Sequence, residues 1–297
     1  MREKFSATDI DYLTVGHITH DVLPNGGQAI GGTASYAAFT ASALGRRVGV
    51  LTSAGPDLEI AAFDGIASLF CHPAPVTTTF ENIYVNGHRE QFVYSIAHPL
   101  TFAQVPNPWL RVPLIHIGPI MGECDLTLAA HFTGKAFVGM TPQGWMRTID
   151  AQGRVFPQAW REAEQFLPLA SALVFSIDDI GGDWALARHY AQQTHILVVT
   201  CGWDGGTLFI DGEATLFAAV PVVETDPTGA GDIFATAFFI ALASGAEPLS
   251  AANYAACLAG RSVTRKGLAS TPRPADVAMC PLALLSLIHI SEPTRPY

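Results

Sequence analysis

Residues 226–232 read Asp-Pro-Thr-Gly-Ala-Gly-Asp and run directly into Ile-Phe-Ala-Thr-Ala-Phe-Phe. A glycine-rich turn therefore opens an apolar helix that carries a carboxylate, Asp232, on its first turn. The first amides of a helix have no intrahelical partner and, with the helix dipole, they favour negative charge. Phosphate or a developing oxyanion fits there. Gly229 and Gly231 let backbone approach a ligand closely, and the same positive helix end holds Asp232 ionised beside it. The arrangement suits phosphoryl transfer to a hydroxyl. A plainer reading is that Asp226 or Thr228 caps a helix and the glycines make a turn. The length of the match weighs against it, since Asp-x-Thr-Gly-Ala-Gly-Asp arises by chance in a chain this long on the order of once in ten thousand sequences.

At these residues the chain resembles the PfkB-type carbohydrate kinases, the ribokinase-like family. The resemblance implies that Asp232 is the catalytic base and that the backbone amides of Gly229, Ala230 and Gly231 form an anion hole. It implies ATP and Mg²⁺ as cofactors. Thr200-Cys-Gly-Trp-Asp-Gly-Gly206 follows an apolar run; alone it reads as a tight turn between strands. In the family, Thr-x-Gly-x-x-Gly before the base motif lies along the nucleotide phosphates, which assigns Thr200, Gly202 and Gly205, together with Thr228, to ATP.

The family's sugar site is built from an early aspartate and a Gly-Gly pair before a small-residue helix, which Asp21, Gly31 and Gly32 match. A glycine pair before a helix is otherwise close packing. The usual asparagine on that helix falls at Tyr36. Ser176-Ile-Asp-Asp179 stands where the family carries Asn-x-x-Glu, so Asp179 is the metal candidate, acting on Mg²⁺ through water; solvated loop carboxylates are the alternative. Gln143 and Arg147 follow a strand at the active-site edge as substrate candidates, against a surface loop. Val263-Thr-Arg-Lys-Gly267 resembles the ribokinase segment that closes beneath the adenine, against a short basic helix end. His17 and His20 lack a third ligand nearby and read as ordinary loop histidines.

The elements that must position these residues are legible as alternation. Residues 12–18, 48–53, 114–120, 136–140, 172–176 and 196–200 read as buried strands. Thr33–Leu44, Asp183–Thr194, Gly231–Ser244 and Ser250–Thr264 read as helices, with Gly45, Gly245 and Gly267 as stops. Strand–helix–strand repetition implies a mainly parallel sheet covered on both faces, with ligands at the carboxyl ends of its strands. Residues 77–85 and 88–95 alternate about Asn86-Gly87, a hairpin signal. The resemblance makes that hairpin, about 77–95, a small β lid over the substrate that can also join two copies into a homodimer. The fold class expected is thus α/β, a ribokinase-like three-layer fold of mainly parallel sheet flanked by helices.

A net charge of −10 with 49% apolar residues argues against a nucleic-acid partner and for a compact enzyme that binds phosphates by backbone geometry. Cys71, Cys124, Cys201, Cys257 and Cys280 are scattered and odd in number, so reduced core thiols are expected rather than a disulfide or zinc site. No segment approaches the roughly 20 apolar residues of a membrane span, and the start lacks an apolar signal stretch, so the expected address is cytoplasm with no membrane partner. One kinase domain over 1–285 is expected, with 286–297 as a non-native tail, since Ser-Leu-Ile-His-Ile-Ser-Glu-Pro breaks the preceding pattern. The activity these residues imply is ATP-dependent phosphorylation of a hydroxyl on a small sugar, polyol or cyclitol. His20-Asp21-Val22-Leu23, Gly31 to Tyr36, Thr79-Phe80-Glu81 and Asp226-Pro227-Thr228 look more like plant-type myo-inositol kinases than like ribokinase. A nucleoside or ribose kinase and a non-catalytic sugar sensor are the alternatives.

Overall fold

The computed structural model describes residues 9–85 and 88–282. The Asn86-Gly87 turn and the tail 286–297 lie outside the described residues.

A nine-stranded sheet forms the centre, in the order β15-β14-β13-β12-β9-β8-β1-β4-β5. Seven strands run parallel: β1 (Tyr12–Val15), β4 (Val48–Ala54), β5 (Ala67–Pro73), β8 (Leu114–Ile117), β9 (Phe137–Met140), β12 (Ala172–Ser176) and β13 (Ile196–Thr200). Two antiparallel strands, β14 (Gly206–Ile210) and β15 (Glu213–Phe217), finish one edge. The buried runs read from the sequence are these strands because each is covered on both faces, so residues of both parities are apolar. Val174 and Val198 point into one core, which α1 (Thr33–Ala43), α5 (Ala230–Ala243) and α6 (Pro248–Ser262) close. Leu173, Phe175, Leu197 and Val199 point into the other, under α2 (Leu126–Phe132), α3 (Ala163–Phe166) and α4 (Trp184–Ala191). Helix α7 (Pro274–Met279) follows α6. The three-layer, mainly parallel architecture expected is present.

The lid is larger than a hairpin. β3 (Gln28–Gly31), β2 (Thr19–Val22), β6 (Thr78–Val85) and β7 (His88–Ser95) form a four-stranded sheet in that order. The single strand expected over 12–18 stops at Val15, and the chain crosses to the lid at Gly16, where a β-carbon would overlap the Gly118 carbonyl. A short hairpin, β10 (Arg147–Ile149) with β11 (Val155–Pro157), leans on the lid. The Val93 amide donates to the Gly153 carbonyl at 2.8 Å, and Arg154 pairs with Glu90 at 2.8 Å.

His17 lies in the connection between β1 and β2, as a loop histidine would, and His20 lies on β2; both are buried. His17 stands at the crossing from β1 to the lid. Its Nε2 is 2.9 Å from the His98 carbonyl, which can only accept, so Nδ1 accepts from the Thr78 hydroxyl at 2.8 Å. The root of β2, the root of β6 and the exit from β7 are thereby tied to one ring. Buried Glu123 supports the same crossing, accepting amides of His17, Ile120 and Met121.

The cysteine expectation fails at one pair. Cys257 on α6 and Cys280 after α7 form a disulfide, while Cys71, Cys124 and Cys201 are free. Folding α7 back along α6 brings two thiols together across 23 positions of sequence, which spacing alone does not signal.

Candidate active site

Strand carboxyl ends deliver the site. The loop into α5 is held by Asp226, whose Oδ1 accepts the Thr228 amide at 2.9 Å and whose Oδ2 accepts that of Gly267 at 3.4 Å. The amides of Thr225 and Asp226 both donate to the Val263 carbonyl, at 2.7 and 3.0 Å, fastening the loop to the end of α6. Gly229 is the N-cap residue at φ 80°, a left-handed conformation that suits glycine, and no side chain caps the helix. The three amides expected to form the anion hole are not equivalent. That of Ala230 donates to the Pro227 carbonyl at 3.1 Å, whereas those of Gly229 and Gly231 have no acceptor among the described residues and remain available to an anion.

Asp232 is the third residue of α5 and keeps part of its surface open to the cleft. Burial pushes its carboxyl up to about 6; hydrogen bonding from Thr33 and the Arg147 cation pull it down, and the charges of Asp179 and Asp21 push it up. Residues from β2, from the start of α1, and from the loops after β9 and β12 thus share one electrostatic neighbourhood. Thr33 was not singled out in the sequence. Its signal was its place directly after Gly31-Gly32, where it is the first residue of α1.

The acceptor-side residues also converge. Asp21 lies on β2, with the Thr19 hydroxyl donating to Oδ1 at 3.1 Å, and its carboxylate rests so close to Gly31 that a β-carbon there would overlap it. Gly32 is the N-cap of α1 at φ 88°, packed on the His17 carbonyl. Tyr36 is 2% exposed, its ring against Gly229. Burial first, then the charges of Asp21, Asp232 and Asp226, raise its phenol well above the ordinary value.

Gln143 and Arg147 belong to no exposed loop. Gln143 lies in a 3₁₀ turn after β9 and Arg147 opens β10, and both line a polar cavity of about 510 Å³ with Glu90, Arg154, Ser176 and Asp179. Gln143 donates to Asp179 Oδ1 at 2.9 Å, Arg147 reaches the Ile120 carbonyl at 3.4 Å, and the Ser176 amide donates to Asp179 Oδ2 at 2.9 Å. Asp179 is therefore a fixed carboxylate.

On the donor side, Thr200, Gly202 and Gly205 line a cavity of about 150 Å³ that reaches Ala230 and Gly231 at the start of α5. Gly202 and Gly205 adopt φ 54° and 82°. Thr228 is not among the lining residues; it stands in the loop, its amide on Asp226. Val263 lines the cavity, and so do Val220, Val222, Ala256 and Gly260, which carried no motif.

Residues 159–276 match the family described as pfkB family carbohydrate kinase. A cytidine kinase of Thermococcus kodakarensis is 26% identical over 251 residues, covering 80% of this chain and 90% of that protein. An inositol 3-kinase of Oryza sativa subsp. japonica is 26% identical over 281 residues, covering 88% and 70%. Among solved structures, a pyrophosphate-dependent kinase in the ribokinase family, complexed with a pyrophosphate analog and myo-inositol, superposes with a TM-score of 0.75 at 22% identity, covering 90% of this chain and 99% of that one. The ribokinase of Thermotoga maritima superposes at 0.68 with 19% identity, covering 91% and 99%. These likenesses establish a ribokinase-like fold for this chain. Among the described residues no helix is long and apolar enough to cross a membrane.

Proposed function

We propose that this protein is an ATP-dependent kinase that phosphorylates a hydroxyl of a small polyhydroxylated acceptor, a cyclitol of the myo-inositol type foremost. The observation that carries the reading is Asp232 on the first turn of α5, beside the unengaged amides of Gly229 and Gly231. Asp232 accepts the hydroxyl proton as the oxygen attacks the terminal phosphorus. The amides stabilise the charge of the transferring group, which is most of what a protein can contribute to a loose phosphoryl transition state. One such donor contributes roughly 3 kcal/mol.

Asp21, Gly31 and Gly32 grip acceptor hydroxyls in this reading, with Gln143 and Arg147 across the cleft. Thr200, Gly202 and Gly205 follow the donor phosphates, and Thr228 shapes the loop behind them. Mg²⁺ fits this donor set only indirectly. Both Asp179 oxygens already accept hydrogen bonds, and no group of three or more His, Cys, Asp or Glu gathers among the described residues. A cation that keeps several waters and leans on donor phosphates suits one such carboxylate; when bound it supplies charge neutralisation at the phosphates. Asp179 would hold it through water. The four-stranded lid is the surface proposed for a homodimer.

Similarity to inositol 3-kinases supports the cyclitol, and equal identity to a cytidine kinase supports a nucleoside as the second reading. The deciding experiment is kcat/KM with ATP across myo-inositol, ribose, fructose, cytidine and adenosine. A site built to hydrogen-bond particular hydroxyls separates close analogues sharply. Preference for cytidine would replace the cyclitol while keeping the kinase, and no turnover of any acceptor would leave the sensor.

A further inference from the structure

The lining of the donor cavity is of two chemical kinds. Gly202, Gly205 and the first turn of α5 offer backbone to an anion. Val220, Val222, Ala256 and Gly260 offer no hydrogen-bonding side chain, and the lining residues Phe217 and Phe234 stack with ring centroids 5.6 Å apart. Trp203 lines the same cavity. It is 57% exposed, and among the described residues no hydrogen bond or ring contact engages its indole. An isolated exposed aromatic is ordinary. One that lines a cavity offering both apolar side chains and backbone amides is placed to cover a flat ring attached to phosphates.

We propose that Trp203 stacks on the base of a nucleoside phosphate and so selects a nucleotide over inorganic pyrophosphate as the phosphoryl donor. The inference deepens the reading of this site as a phosphotransferase and rests on it for the word donor. Selection follows from geometry. Pyrophosphate can engage only the backbone amides, leaving the indole and the apolar side chains in water, whereas a nucleotide removes both from solvent. A kinase of the same fold is pyrophosphate-dependent, so the choice is a real one for this architecture.

Acceptor-free binding tests it. Trp109, Trp145 and Trp160 are buried and Trp184 is partly buried, so Trp203 is the tryptophan most open to a quencher. Titrating the full chain with ADP in Mg²⁺ should change tryptophan fluorescence, and Trp203→Phe should lose most of that change while holding ADP affinity within about threefold by calorimetry. Trp203→Ala should weaken ADP by about ten- to a hundredfold, the range base–aromatic stacking spans, and leave pyrophosphate affinity unaltered. Equal ADP affinity in the alanine variant and the wild type, or tighter binding of pyrophosphate than of ADP by the wild type, would overturn the proposal. Turnover keeps the two readings apart. A polyol phosphorylated from pyrophosphate and not from ATP would defeat the Trp203 assignment and leave phosphotransfer standing. Trp203-dependent ADP binding without turnover of any acceptor would support the stacking and remove the polyol kinase.

Discussion

The ring of Tyr36 on α1 lies flat against Gly229, so that a β-carbon on residue 229 would overlap Cδ1 and Cε1 of the ring. The helix that follows the Gly-Gly pair and the helix that carries Asp232 therefore meet at a glycine that has two separate reasons to be one: its φ of 80° and the aromatic face above it. Gly229→Ala should displace the anion loop. We expect kcat to fall at least about a hundredfold, as for loss of an oxyanion donor, with near-UV circular dichroism showing a retained fold. Activity within a few-fold of wild type would show that the loop tolerates the shift.

Asp232 has a raised carboxyl, so its proton is held to higher pH than in the unfolded chain. Activity that needs the ionised base should climb with an apparent pKa of about 6 and level above it. Asp232→Asn should remove that limb and cut kcat by about 10² to 10⁴. Stability should move the other way. The unfolded chain releases this proton near 3.8 and the folded one near 6, so ionisation costs folding free energy as pH rises between them. At pH 8 the asparagine variant should accordingly melt no lower than the wild type in calorimetry.

His17 ties the lid to the body. Replacing it with alanine removes the acceptor of the Thr78 hydroxyl proton and the donor to the His98 carbonyl, at a cost of about 2–3 kcal/mol, although Thr78 still accepts the Ala97 amide. The kinetic signature should be an acceptor KM raised more than the ATP KM, because the strands it roots carry Asp21 and not the donor cavity. Equal rises in both constants would identify His17 as a general structural residue.

The disulfide joins α6, which walls the donor cavity, to the end of α7. Closing 23 residues of chain stabilises by about 3 kcal/mol through the unfolded state. Cys257→Ser, or reduction of the wild type, should therefore lower the melting temperature by roughly 5–10 °C. A melting curve indifferent to reductant would mean that the two thiols stay free in solution.

The sequence made the base loop readable because a glycine turn, a first-turn carboxylate and an apolar helix are all local. The parallel strands were readable because burial on both faces leaves unbroken apolar runs. Boundaries failed where the cause lay across the fold. Nothing near Gly16 announces that Gly118 presses on it, so the strand read over 12–18 runs three residues past its end at Val15. The lid read as a hairpin because β2 and β3 join it only through the parallel pairing of β2 with β6. Glu123, buried on three backbone amides, stands in Gly-Glu-Cys-Asp with no local signal of its task. The donor cavity is assembled from valines, alanines and glycines of four elements, and such residues look like any core.

The order in which the central sheet is laid down has a consequence for synthesis. Every strand of that sheet, through β15 ending at Phe217, precedes Asp232 in the chain. Helix α5 then packs onto strands already made, its Phe239 covering Gly139 of β9 and its Gly229 meeting Tyr36 of α1. Because domains assemble as the ribosome delivers them, amino-terminal parts first, the carboxylate is the last of the central groups to arrive. A nascent chain can hold its lid, Asp21 and its glycine pair while still lacking the carboxylate to which the proposed reaction assigns the proton, so under that proposal it cannot turn over before α5 is made.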